Sequence, residues 1–228
     1  MSKVGKRGLE IMRNASWYNS WIFSFISPYI SGDILEIGGG IGNFTPLLLN
    51  NGSVVSIDIK KEYLPKIKKT TRGRAKVGIG DIEKGKYFFG QKKFDTAICL
   101  NVLEHINGHK NALKNMYKLL KKDGHLCLLV PTHQFFFGKM DKNLGHYRRY
   151  SKNNLKTLVR KAGFEVIMTK YLNPVGGLGW FINSRILKRE TVSSKQVRLF
   201  DWLARPFLLL EKYYDPPFGL SVLIIARK

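Results

Sequence analysis

The chain has 228 residues, 44% of them hydrophobic and 12% aromatic, enough for one full core and too apolar for a disordered chain. Its 39 basic residues outnumber 16 acidic ones, a formal net charge of +23, which points to an anionic partner: nucleic acid, a membrane surface, or a phosphorylated or acidic substrate. No apolar run approaches the roughly 20 residues of a membrane span, and there is no signal-peptide core. The two cysteines, Cys99 and Cys127, fall inside predicted strands, and no Cys or His cluster has metal-ligand spacing. The expectation is a cytoplasmic protein with reduced thiols and no metal.

In chain order, residues 1–15 read as a basic, partly mobile leader. Trp17 to Ile30 carries Trp17, Trp21, Ile22, Phe25 and Ile26 at helical spacing and reads as an amphipathic helix ending near Pro28. A short strand over 33–37 breaks into Gly38, Gly39, Gly40 and Gly42, and a helix follows over 43–50. Strand, glycine turn, helix lets backbone approach a small ligand and points helix N–H groups at it. A dinucleotide G-x-G-x-x-G fails at Asn43, whereas E-x-G-x-G-x-G fits from Glu36 through Gly38, Gly40 and Gly42. The next strand, 53–57, ends at Asp58, 20 residues after Gly38 and placed to accept from both hydroxyls of a ribose.

A helix over 60–70 leads to a strand over 75–79 that runs into Gly80-Asp81-Ile82. The strand 94–100 closes in Asn101-Val102-Leu103-Glu104-His105-Ile106, then come a helix near 108–121 and a strand 124–130 stopped by Pro131. Strand 164–168 follows the glycine cap at Gly163, and 221–226 is the last strand. The alternation predicts an α/β fold: a seven-stranded, mostly parallel sheet wound on both faces, with its ligand at the carboxyl ends of the first strands.

Two segments break the pattern, and loops at strand ends carry function. Thr132 to Ser151 is dense in aromatics and holds His133, Asp141, His146, Arg148 and Arg149; adjacent arginines suit phosphate or carboxylate. Leu172 to Phe218 opens with turn residues. Its stretch 195–214 mixes Val197, Phe200, Trp202, Leu203, Phe207, Leu208 and Leu210 with Lys and Arg, which suits a membrane surface, a packed helical hairpin or a dimer interface. Asp215-Pro216-Pro217-Phe218 imitates a base-amino-methylation motif but sits before the last strand, so it reads as a proline-stiffened turn.

With these motifs in order, the chain resembles the class I methyltransferases that use S-adenosylmethionine (SAM). The resemblance implies the Rossmann-like fold of that class and SAM as cofactor. It places Gly38, Gly40 and Gly42 around the methionine part, Asp58 at the ribose, and Asp81 and Ile82 at the adenine. Glu36, Asn43, Ile59, Asn101 and Val102 complete the cofactor set. The run Asp141 to Tyr150, D-K-N-L-G-H-Y-R-R-Y, resembles a subgroup found with glycosyltransferases and cell-envelope polysaccharide or lipid assembly.

That resemblance implies one domain over 1–228, with a helical lid at about 10–30, an acceptor insert at about 132–151 and a C-terminal insert at about 172–218. It implies methyl transfer to a small-molecule or glycan-like acceptor, phosphorylated or lipid-linked, on oxygen. Tyr18, Asp141, Tyr147, Arg148 and Arg149 are its acceptor-binding candidates. His146 ranks first as general base, His105 second and Glu104 third, because an imidazole titrates near neutrality. Peripheral contact with the inner membrane surface goes with a lipid-linked acceptor. Two alternatives stand beside this reading: an RNA methyltransferase, prompted by the charge, and a catalytically silent SAM-binding partner subunit.

Overall fold

A computed structural model describes residues 3–186, 200 and 202–228. Its strands are β1 (Gly32–Ile37), β2 (Gly52–Asp58), β3 (Lys76–Asp81), β4 (Lys86–Tyr87), β5 (Phe94–Leu100), β6 (Leu120–Pro131), β7 (Glu165–Leu172) and β8 (Ser221–Arg227). They form one sheet in the order β4-β3-β2-β1-β5-β6-β8-β7. The run β3-β2-β1-β5-β6 is parallel, while β8 is antiparallel to both β6 and β7. Seven of these strands match the expected sheet. The eighth, β4, is a two-residue strip folded back on β3 where Gly85 turns the chain at φ +68°.

The central strands are continuous apolar runs because helices cover both faces. On one face, Ala112, Leu113, Met116 and Leu119 of α5 (His109–Leu119) and Leu155 and Val159 of α7 (Lys152–Lys161) close over Leu35, Ile37, Cys99 and Leu128. On the other, Trp21, Ile22 and Ile26 of α2 (Ser16–Ile26) pack on Ile34, Ile98, Leu129 and Ile225. Each such side chain contributes roughly 1.5–3 kcal/mol by leaving water. Trp21 is core rather than lid, with its indole N–H donating to Leu208 O at 2.8 Å. Burial pushes both cysteine thiols up, so Cys99 and Cys127 are inert fillers.

Other α-helices among the described residues are α1 (Lys3–Arg13), α3 (Thr45–Leu48), α4 (Leu64–Thr70), α6 (Lys139–Leu144), α8 (Pro174–Phe181) and α9 (Arg205–Leu210). Residues expected at 43–50 and 60–70 as full helices are shorter here. Pro46 and Pro65 each start the α-helix at their own turn, and Lys61–Tyr63 is a 3-10 turn ahead of α4. The basic leader also differs from expectation. It folds as α1, because Ile11 is buried, Gly8 packs against Leu144, and Glu10 pairs with Lys66 at 3.3 Å. Of the C-terminal stretch 195–214, Val197 lies outside the described residues. No described helix is long and apolar enough to cross a membrane.

Candidate active site

The first feature is the glycine turn at the carboxyl end of β1. Gly38, Gly40 and Gly42 all sit at positive φ (+71°, +56° and +81°), where a Cβ is strained. A Cβ on Gly38 would also lie 2.4 Å from Val102 Cγ2. The turn is therefore packed against the segment after β5. Glu36 supports it from behind: its Oε2 accepts from Thr45 Oγ1 at 2.7 Å and Ser56 Oγ at 2.6 Å, and its carboxyl is held up by burial. Glu36 is thus a brace for the turn rather than part of its ligand face.

Asp58 ends β2 at 8% exposure. Its Oδ2 accepts from Gly40 N at 2.9 Å and its Oδ1 from Lys60 N at 2.8 Å. Burial raises its carboxyl, opposed by these N–H groups. A carboxylate offers about four acceptor positions, so capacity remains for a diol. Ile59 beside it is 65% exposed, an apolar surface at a strand end. Asp81 ends β3 and caps its own turn through Lys84 N at 3.0 Å, while Ile82 is buried in the core. Asn101, exposed and left-handed at φ +54°, follows directly on β5. These residues fit a nucleoside carrying a ribose diol: an acceptor carboxylate, an open apolar face and a side-chain-free turn lie at neighbouring strand ends.

Over this turn lies α1. Leu9 is the nearest group to a Cβ built on Gly40, at 3.4 Å, and Asn43 Nδ2 donates to Leu9 O at 3.2 Å. The covering element is α1, which reaches α6 on its other side through Gly8 and Leu144. Tyr18, on α2, instead stacks on Trp21 and takes a hydrogen bond from Asn173 Nδ2 at 3.0 Å; burial pushes its phenol up to about 12. It braces the end of β7.

The second feature is the insert after β6. Asp141, in α6, is fully buried and receives Arg149 Nε at 2.8 Å on the oxygen that also lies 2.9 Å from His146 Nδ1. Arg149 further donates to Thr132 O and stacks on Trp180, with its centre 4.6 Å from the ring. Arg148 donates to Ile106 O at 2.6 Å and Asn107 O at 3.1 Å. The expectation of two acceptor-facing arginines and an acceptor-facing Asp141 therefore needs correction. Arg149 and Asp141 are an internal pair, each matching the other's buried charge, and Arg148 ties the insert to the loop after β5. Tyr147, 57% exposed, is a large signature side chain that faces outward.

The insert delivers His146 to His105, ring centroids 4.6 Å apart. His105 Nδ1 is 3.2 Å from Gly145 O, and burial first, then His146, holds its imidazole down to about 4. A carbonyl only accepts, so His105 carries its proton on Nδ1 and a lone pair on Nε2. Beside them Glu104 is 1% exposed, and burial pushes its carboxyl up to about 7. Sequence reasoning found all three residues but not their meeting. It missed Leu9, whose place over the glycine turn had no motif to mark it.

A family model described as a methyltransferase domain matches residues 22–169. An uncharacterized methyltransferase-like protein of Schizosaccharomyces pombe is 27% identical over 124 residues, covering 51% of this chain and 46% of that protein. The chain spans less than half the length of the curated relatives it matches. Among solved structures, a SAM-dependent methyltransferase from Archaeoglobus fulgidus superposes with a TM-score of 0.61 at 17% identity, covering 94% of each chain. The N-methyltransferase NodS from Bradyrhizobium japonicum, in complex with S-adenosyl-L-homocysteine, does so at 0.58 and 15% identity, covering 96% of this chain and 87% of that one. These structural likenesses show a shared fold.

Proposed function

The chain belongs to the methyltransferase-domain family, and from that premise we propose that it transfers the methyl group of SAM to an oxygen of a small-molecule or glycan-like acceptor, phosphorylated or lipid-linked. Bound SAM supplies a methyl group already activated by its sulfonium leaving group. The protein then has to hold the cofactor, align the hydroxyl, exclude water and remove one proton. In this reading Asp58 accepts from the ribose hydroxyls, Asp81 from the adenine amino group, and Ile59 lies against the ring. The glycine turn, Asn101 and Val102 line the methionine end, and α1 covers it.

The observation that carries the acceptor reading is the hydrogen bond between His146 Nδ1 and buried Asp141, 2.9 Å. With Nδ1–H donated there, Nε2 is the accepting nitrogen, and it takes the hydroxyl proton as the oxygen–carbon bond forms and the sulfur–carbon bond breaks. His105 backs it on the adjoining face. A lipid-linked acceptor is supported by the exposed apolar side chains of the C-terminal insert: Trp202 (67%), Phe207 (57%) and Leu210 (57%).

The charge of +23 favours a second reading, methylation of RNA. One experiment separates them. The protein is incubated with methyl-labelled SAM and three fractions (total RNA, polar lipids with lipid-linked glycans, and small metabolites) at low and high salt. Label in lipids or metabolites supports the proposal. Label in RNA that disappears at high salt replaces it with the second reading. Tight SAM binding with no label in any fraction points to a silent partner subunit.

A further inference from the structure

Glu104, His105 and His146 converge where β5 ends, two residues beyond the Val102 that packs on the glycine turn. We propose that these three side chains form a binding site for a divalent transition-metal cation of the zinc type. One ligand atom from each lies within 4.8 Å of the other two. Ligands around a tetrahedral ion at about 2.1 Å stand about 3.4 Å apart, the spacing to which the three atoms would have to close.

Two independent features shape the cluster for a cation. Both imidazoles are held through Nδ1, His146 by the Asp141 carboxylate at 2.9 Å and His105 by Gly145 O at 3.2 Å, which leaves both Nε2 lone pairs for a ligand. A histidine that ligates a metal through one nitrogen and donates the other to a carboxylate or carbonyl is the arrangement that fixes tautomer and ring orientation. Gly145 presents that carbonyl because it ends α6 in the left-handed region at φ +86°, the turn that also brings His146 N onto Asp141 O. Finally, Glu104 Oε2 is buried and has no hydrogen-bond partner among the described residues. A buried carboxylate oxygen without a donor is costly unless something positive meets it.

Two nitrogens and one oxygen select zinc, cobalt, iron or manganese over magnesium or calcium, which prefer oxygen ligands throughout. Three protein ligands leave coordination positions open. An acceptor with a hydroxyl, vicinal diol or phosphate oxygen would fill one of them, and the cation would lower the pKa of a bound hydroxyl, replacing His146 as the agent of proton removal because its Nε2 lone pair would be held by the ion. That use rests on the reading of the function; binding of the cation does not.

The test is direct binding, in the absence of SAM and acceptor. Tag-free protein is stripped with chelator, dialysed, and titrated with Co2+ as a spectroscopic probe, with Zn2+ as competitor. The expected result is one Co2+ per chain, with visible bands of low-symmetry coordination that Zn2+ displaces. His146→Gln, His105→Asn and Glu104→Gln should each weaken binding more than tenfold. Asp141→Asn, which removes the carboxylate behind His146 and with it the charge partner of Arg149, should weaken it 10- to 100-fold. Circular dichroism and SAM binding confirm that each variant is folded. Absence of stoichiometric Co2+, or binding unchanged in all three ligand variants, overturns the site. If Co2+ binds but no hydroxyl acceptor is methylated, the site stands and the acceptor reading falls. If methyl transfer proceeds unchanged in chelator and no Co2+ binds, the reverse holds.

Discussion

His146 Nδ1 lies 2.9 Å from Asp141 Oδ1, and the two side chains are nearly closed to solvent, at 9% and 0% exposure. The same oxygen receives the buried Arg149, so one carboxylate orients the histidine and neutralises the arginine. Asp141→Asn keeps the shape and removes the charge. It leaves a buried guanidinium unmatched, a loss of about 3–5 kcal/mol in unfolding free energy, to be read by urea denaturation. Arg149→Lys should recover little of an Arg149→Ala defect, because an ammonium can neither reach Asp141 and Thr132 together nor stack on Trp180 in the same way. A surface role for either residue predicts changes within about 0.5 kcal/mol instead.

Asp58→Asn should weaken SAM and S-adenosylhomocysteine binding by roughly 1–3 kcal/mol, about 5- to 150-fold, while leaving the melting temperature close to that of the parent chain. Isothermal titration reads the affinity. Unchanged affinity would remove Asp58 from the ribose and confine it to holding Gly40 N and Lys60 N.

Gly38→Ala introduces a methyl 2.4 Å from Val102 Cγ2 at a backbone angle that L residues rarely adopt. It should destabilise the chain by about 2–4 kcal/mol and weaken cofactor binding as well. Adding Val102→Ala removes the steric part and should restore about half of the loss, the backbone strain persisting. A double-mutant cycle with additive effects would show that the two residues do not touch.

Glu211 is fully buried with Oε2 accepting from Asn173 N at 2.9 Å, and burial pushes its carboxyl up to about 7. Its unfolded value is about 4.3. Between those pH values the folded chain holds a proton that the unfolded chain has lost. Stability therefore falls as pH rises from about 4.3 to about 7, and the loss is complete above that window. Glu211→Gln removes this contribution, so the variant should gain about 2–3 kcal/mol relative to the parent chain at pH 8 compared with pH 4.5. Denaturation at the two pH values checks it; parallel curves would show that Glu211 titrates normally.

Much of the cofactor end was legible because its signals are contiguous. Four glycines after an apolar run, and an acid at the end of the next strand, specify their geometry through local sterics and strand length. The family match over 22–169 covers this part. The acceptor end was legible only as composition. His133, Asp141, His146, Arg148 and Arg149 stood out as a dense group, but the sequence assigned the arginines to an anionic substrate. Which of them faces outward depends on what packs around them, here Trp180, Phe136 and the backbone of the loop after β5.

By itself, then, the sequence determined the alternating fold, the glycine turn between β1 and α3, and the acids that end β2 and β3. Each is set by residues within a few positions of one another. Only the tertiary structure decided that α1 covers the turn, that Arg149 is spent on Asp141, and that Glu104 and His105 meet His146 across 40 residues of chain. Burial and charge pairing are properties of the folded surroundings, and no local pattern encodes which side chain will be left without a partner.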